Sequence, residues 1–152
     1  MSIPPVNARL FVLVFAFAFG LLAAVGTRAA SGADGFRVIV NPDNPVSSID
    51  RRFLADVYLK KATRWPSDEA IRPVDLGPGS PIRRAFSDDI LKRSVSAIKS
   101  YWQQMVFSGR GVPPPELDSD GEVVRFVLKN RGAVGYVSGG SDVAGAKIVP
   151  VR

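Results

Sequence analysis

The chain has 152 residues, with 20 Lys and Arg against 14 Asp and Glu, and it contains neither cysteine nor histidine. That composition excludes a disulfide framework, a thiol nucleophile, a thiolate or imidazole metal site and any Ser-His-Asp triad. The net charge of +6 favours anionic partners but lacks the dense basic stripe of a nucleic-acid binder.

Residues 1–9 carry one positive side chain, Arg9, and an uncharged apolar run follows from Leu10 to Gly26. Small residues then offer cleavage points after Gly26 or Ala29. This is the layout of a secretory signal peptide over residues 1–29, and the alternative is an uncleaved membrane anchor. The run of 17 residues is short for a span, which needs ~20. The expected location is therefore the bacterial envelope, periplasmic or secreted, with membrane contact only through the signal segment if it is retained. Its removal takes away Arg9 and Arg28 and leaves 18 basic against 14 acidic side chains over residues 30–152, enough chain for one domain.

Along that domain, "GFRVIVNP" (35–42) predicts a buried strand closed by Asn41-Pro42. Ile49, Phe53, Leu54, Val57 and Tyr58 then recur at helical spacing. They predict a helix over 48–60, capped by Ser47 or Ser48. "IRPVDL" (71–76) predicts a short strand, with Pro73 placing it at an edge. From Pro81 the helical period returns through Ile82, Ala85, Phe86, Ile90 and Leu91. A further helix over 94–109 is expected to bury Val95, Ile98, Trp102, Met105 and Val106. Residues 110–121 read as a proline-rich surface connection. "SDGE" (119–122) is a capping box opening a helix to Asn130. "AVGYV" (133–137) and "KIVPV" (147–151) complete the strands. The order is α/β, a small partly parallel twisted sheet flanked by helices.

The turn "GPGSPIRRAF" (77–86) is the candidate site. Ser80 is a favoured N-cap, and Pro81 falls where its missing N–H costs nothing. Gly77 and Gly79 let the backbone approach a ligand. Arg83 and Arg84 are cations at the positive end of a helix, opposing its dipole by roughly 0.3–1 kcal/mol each when exposed. A bound oxyanion would remove that conflict. Ordinary capping, with Arg84 paired to Asp88 four residues on, is the plainer reading. Asp118, Asp120 and Glu122 lack a chelating spacing and read as acids in a helix first turn. Trp65 reads as core.

Three segments resemble the periplasmic phosphate-binding proteins of ABC transporters, and more closely their short, single-lobe relatives: "VNPDNPVSSIDRRFLADVYLKKATRW" (40–65), "IRPVDLGPGSPIRRAF" (71–86) and "GAVGYV" (132–137). The resemblance implies a fold equivalent to one lobe of a type II periplasmic binding protein, here the second. It also implies no enzymatic activity, no cofactor, and a small oxyanion such as phosphate as ligand, with an envelope protein as a further partner. In that family an arginine precedes Gly-Ser-Gly-Thr at a helix start. Gly79 and Ser80 match the Gly-Ser, whereas Pro81, Ile82 and Asp75 or Leu76 replace the other positions. The expected ligand set is thus Gly79, Ser80, Arg83 and Arg84. A ligand-free interaction module derived from such a lobe is the alternative.

Overall fold

The structure is a computed structural model that describes residues 35–152; the expected signal segment, 1–29, lies outside the described residues. Strand β1 (Phe36–Val40) sits inside a four-stranded sheet of order β2-β5-β1-β6. The other members are β2 (Arg72–Pro73), β5 (Ala133–Ser138) and β6 (Lys147–Val149). β1 runs antiparallel to β5 and β6, and β2 parallel to β5. A second, two-stranded parallel sheet joins β3 (Asp75–Leu76) to β4 (Glu116–Leu117). The sheet is mixed and partly parallel.

The predicted strand 71–76 is split at Val74. Its first half follows β5, with the Val74 amide donating to the Val134 carbonyl at 2.9 Å. Its second half turns to the proline-rich segment, where the Asp75 amide finds the Pro115 carbonyl at 2.9 Å. Pro73 has no N–H and sits on the edge strand, as its chemistry requires. β4 itself was not expected, because Pro113-Pro114-Pro115 reads as a loop.

Helix α1 (Arg51–Tyr58) starts later than the spacing suggests. Ile49 is held extended by a parallel bridge to Val151, so the cap falls to Asp50, whose Oδ1 accepts from the Phe53 amide at 3.0 Å. The closing strand is correspondingly shorter than 147–151. Helix α2 (Pro81–Phe86) passes into a π-helical turn at Ser87–Leu91, which Lys92 ends in the left-handed region. α3 (Val95–Phe107) is capped by Ser94 and α4 (Asp120–Lys129) by Ser119. α3 lies rotated from expectation. Its seam is Ile98, Tyr101, Trp102 and Met105, at i, i+3, i+4 and i+7, which leaves Val106 51% exposed.

The core lies between the sheet and α1, α2 and α4. Gly135 lets α4 close on β5: a Cβ there would meet Val123 Cγ1 at 2.6 Å and Val74 Cγ1 at 2.9 Å. Trp65 is a core residue, its indole N–H donating to the Gly132 carbonyl at 3.0 Å. Asn41 ties β1 to the end of α4 by donating to the Val127 and Leu128 carbonyls. Among the described residues, no helix is long and apolar enough to cross a membrane.

Candidate functional site at the start of helix α2

The Gly77–Ser80 turn leads from β3 into α2. Ser80 caps the helix as its chemistry suggests: its Oγ accepts from the Ile82 amide at 3.2 Å and the Arg83 amide at 3.3 Å. Pro81 has no N–H, and the Arg84 amide donates to the Ser80 carbonyl at 3.2 Å. Every amide from 81 to 84 is therefore absent or already bonded. Gly79 is open, with nothing within 4 Å of where its Cβ would stand.

The two arginines part company. Arg84 is exposed and belongs to none of the ion pairs among the described residues. The Arg84–Asp88 pair does not form. Arg83 turns back under β3 and is buried at 4% exposure. Its Nη1 donates to the Leu76 carbonyl at 2.6 Å, lies 2.7 Å from Asp75 Oδ2 and reaches Glu116 Oε1 at 3.4 Å. Its Nε is buried without a partner. The conflict between a cation and a helix N-terminus is thus answered from within the chain, by a carboxylate eight residues upstream.

That carboxylate is the centre of a buried network. Asp75 accepts from the Tyr136 hydroxyl and, at 3.0 Å, from the Leu76 amide. Burial pushes its carboxyl up to about 6, against the opposing pull of Arg83, the Tyr136 hydrogen bond and the Leu76 amide. Burial, and then the Asp75 charge, push the Tyr136 hydroxyl well above the usual tyrosine range. The Tyr136 ring stacks on Phe86, centroids 3.9 Å apart and planes 3° from parallel, and Phe86 packs on Tyr58 at 4.7 Å. Tyr58 in turn donates to the Val74 carbonyl at 2.8 Å.

The acids of the β4–α4 segment lie near the turn. Asp118 Oδ1 lies 4.0 Å from where a Gly77 Cβ would be, and Glu116 is the outer partner of Arg83. At the start of α4, Ser119 Oγ accepts from the Glu122 amide at 3.3 Å, and Glu122 accepts from the Asp118 amide at 2.9 Å. Asp120 accepts from the Ser138 amide and the Ser141 hydroxyl, stapling α4 to the end of β5. Burial pushes Asp120 up, but those hydrogen bonds outweigh it and hold its carboxyl below the usual range. Among the described residues, no group of three or more acids is placed to hold a metal ion. Glu116 and Asp118 thus bring negative charge near the turn, while Arg84 is exposed and lies outside the ion pairs among the described residues.

The turn brings Gly79, Ser80 and the Arg84 backbone together, and sends the Arg83 side chain inward. Sequence reading missed the Asp75–Arg83–Tyr136 network. Its only signal is a carboxylate between two apolar strand residues, Val74 and Leu76.

A family model described as the PBP superfamily domain matches residues 27–150. Among solved structures, an ABC-type phosphate transport receptor from Vibrio cholerae is similar at 24% identity and a TM-score of 0.62, over 79% of this chain and 47% of that one. A structure from Clostridium perfringens, with bound phosphate, of a protein assigned as a phosphate ABC transporter substrate-binding protein is similar at 26% identity and 0.62, over 79% and 46%. PstS from Borrelia burgdorferi is similar at 15% and 0.54, over 78% and 47%. The chain spans about half the length of these structures. No curated protein matches it.

Proposed function

The chain belongs to the PBP superfamily, and from that premise we propose that it is a non-enzymatic binding module of the bacterial envelope, carrying one receptor lobe whose oxyanion site is closed by its own carboxylate. It works by docking on another envelope protein rather than by caging phosphate. The observation that carries this reading is the buried ion pair between Arg83 and Asp75, at 2.7 Å. Arg83 is the charge that would compensate for the family arginine, and Asp75 already neutralises it. The capped amides of 82–84 remove the other donors on which an anion would rest. The absence of histidine and cysteine excludes histidine acid–base chemistry and thiol catalysis. The apolar run Leu10–Gly26 supports export.

Calorimetric titration with phosphate and with sulfate at pH 7.5 tests the reading. The expected result is no saturable heat at millimolar ligand. Saturable heat that disappears in Arg84→Ala overturns it.

A second reading keeps a small oxyanion, such as phosphate, bound weakly at Gly79, Ser80 and Arg84, with Arg83 released from Asp75 to join them. Two observations favour it: Arg84 is exposed and unpaired among the described ion pairs, and the structural neighbour at 26% identity holds phosphate. Because Asp75 competes with the anion for Arg83, this reading requires Asp75→Asn to tighten binding.

A further inference from the structure

Away from α2, an apolar concavity lies between the end of α1, β2, α3 and the proline-rich segment. It has a volume of about 300 Å³, at the small end of ligand-sized pockets. Val57, Ile71, Trp102, Pro114 and Phe126 form its walls. Its mouth carries Lys60, Arg72 and Thr63, and no acidic side chain lines it. The acids that surround the α2 turn are thus absent here, and the charge of the mouth is wholly positive.

Lys60 is placed there at a backbone cost. It follows α1 at the position where helices commonly turn left-handed, with φ of 58°, where glycine is the usual residue. Its side chain then lies across Gly111: a Cβ on Gly111 would stand 2.8 Å from Lys60 Cδ and 3.3 Å from Nζ. A glycine at 111 and a strained lysine at 60 together bring an ammonium to the rim beside Val112. Lys60 belongs to none of the ion pairs among the described residues. Arg72 also lines the groove and donates one guanidinium N–H to Asn130 Oδ1 at 3.0 Å.

We propose that this groove is a binding site for a small amphipathic carboxylate, a single ring or short alkyl chain bearing one anionic head. The apolar body sits against Trp102, Phe126 and Val57, and the carboxylate is met by Lys60 and Arg72. The site is separate from the α2 turn and stands or falls independently of the function proposed for that turn.

The test is a titration of the purified protein with sodium 4-phenylbutyrate, read by amide and indole chemical shifts. Neutral 4-phenylbutanol and inorganic phosphate serve as controls. Saturable shifts are expected at Lys60, Thr63, Arg72, Val112 and the Trp102 indole. The alcohol should bind at least about fivefold more weakly, the worth of one partly exposed ion pair. Phosphate should leave these signals in place; its shifts, if any, belong to Gly79–Arg84 and report on the other site. Lys60→Gly should weaken phenylbutyrate about fivefold while raising the thermal midpoint, because glycine relaxes the left-handed backbone. The folded variant thereby separates a ligand role from a structural one. No saturation at millimolar phenylbutyrate, equal binding of the alcohol, or unchanged affinity in Lys60→Gly overturns the proposal.

Discussion

Asp75 and Arg83 are unequal partners, and substitution should expose the inequality. Burial raises the Asp75 carboxyl to about 6, so the fold holds its anion less readily than water does. Asparagine keeps the shape and its oxygen still accepts from Leu76 and Tyr136, but its amide NH2 replaces the Oδ2 that meets Arg83, which is left with the Leu76 carbonyl and Glu116. Glu116 retains a charge for Arg83, so urea unfolding at pH 7.5 should find Asp75→Asn less costly than Arg83→Met. Arg83→Met is the opposite case, since it leaves a buried carboxylate with no counter-charge, and should cost about 3–5 kcal/mol. Equal losses in both variants would mean that the pair is a net stabiliser and the account of Asp75 is wrong. The same residues mark the limit of sequence reading at the site. Ser80 is a local signal, because a cap acts on the next three residues, and the structure carries that hydrogen bonding. The destination of the Arg83 side chain depends on β3 passing beneath α2 and on Glu116 arriving from 33 residues away. No short-range pattern encodes either.

At the scale of elements, local chemistry and tertiary contact divide the boundaries between them. The Ser80 hydroxyl serves two amides, so Ser80→Ala should lower stability by about 1 kcal/mol. A loss of that size in thermal melts, with no change in the spectrum of the folded state, is the expected result. The α4–β5 contact is tighter. Gly135→Ala would push a methyl to 2.6 Å from Val123 and should cost about 1–3 kcal/mol, with Val123→Ala recovering part of it. Additive losses in the double variant would show that the two positions do not meet. Helix periods, the edge character of Pro73 and the strand 133–137 were legible because each rests on spacing or on one residue's backbone chemistry. The late start of α1 was not, because Ile49 is recruited by Val151 from the far end of the chain. Nor was β4, where the Asp75 amide finds its acceptor once the chain turns from β5 after Val74. The rotation of α3 follows from Tyr101, whose hydroxyl reaches the Leu59 carbonyl at 2.7 Å and pulls the seam away from Val106.

For the whole molecule, the carboxylates divide into two sets with opposite effects on stability as pH changes. Asp75 is raised from an ordinary value of 3.8 to about 6, so the folded state binds its proton more tightly than the unfolded chain. Stability falls as pH rises wherever the folded state holds more protons. The contribution of Asp75 is therefore fully present below about pH 4 and lost as pH climbs through 6, amounting to about 3 kcal/mol at most. Asp89 and Asp120 act in the other direction. The hydrogen bond from Arg51 holds Asp89 low, and hydrogen bonds from Ser138 and Ser141 hold Asp120 low against its burial. Their contribution is present at neutral pH and lost as pH falls through their depressed range. The two sets leave a window between them, and the thermal midpoint should peak near pH 5 rather than near neutrality. Asp75→Asn removes the only raised carboxyl resolved among the described residues, so its midpoint should stay level from pH 5 to 8, the acid limb below being retained. Comparing the two proteins cancels the general repulsion of a basic chain at low pH. A wild-type midpoint that rises steadily from pH 5 to 7, or a variant that keeps the wild-type slope there, would place the proton elsewhere and remove Asp75 as the internal anion of the α2 turn.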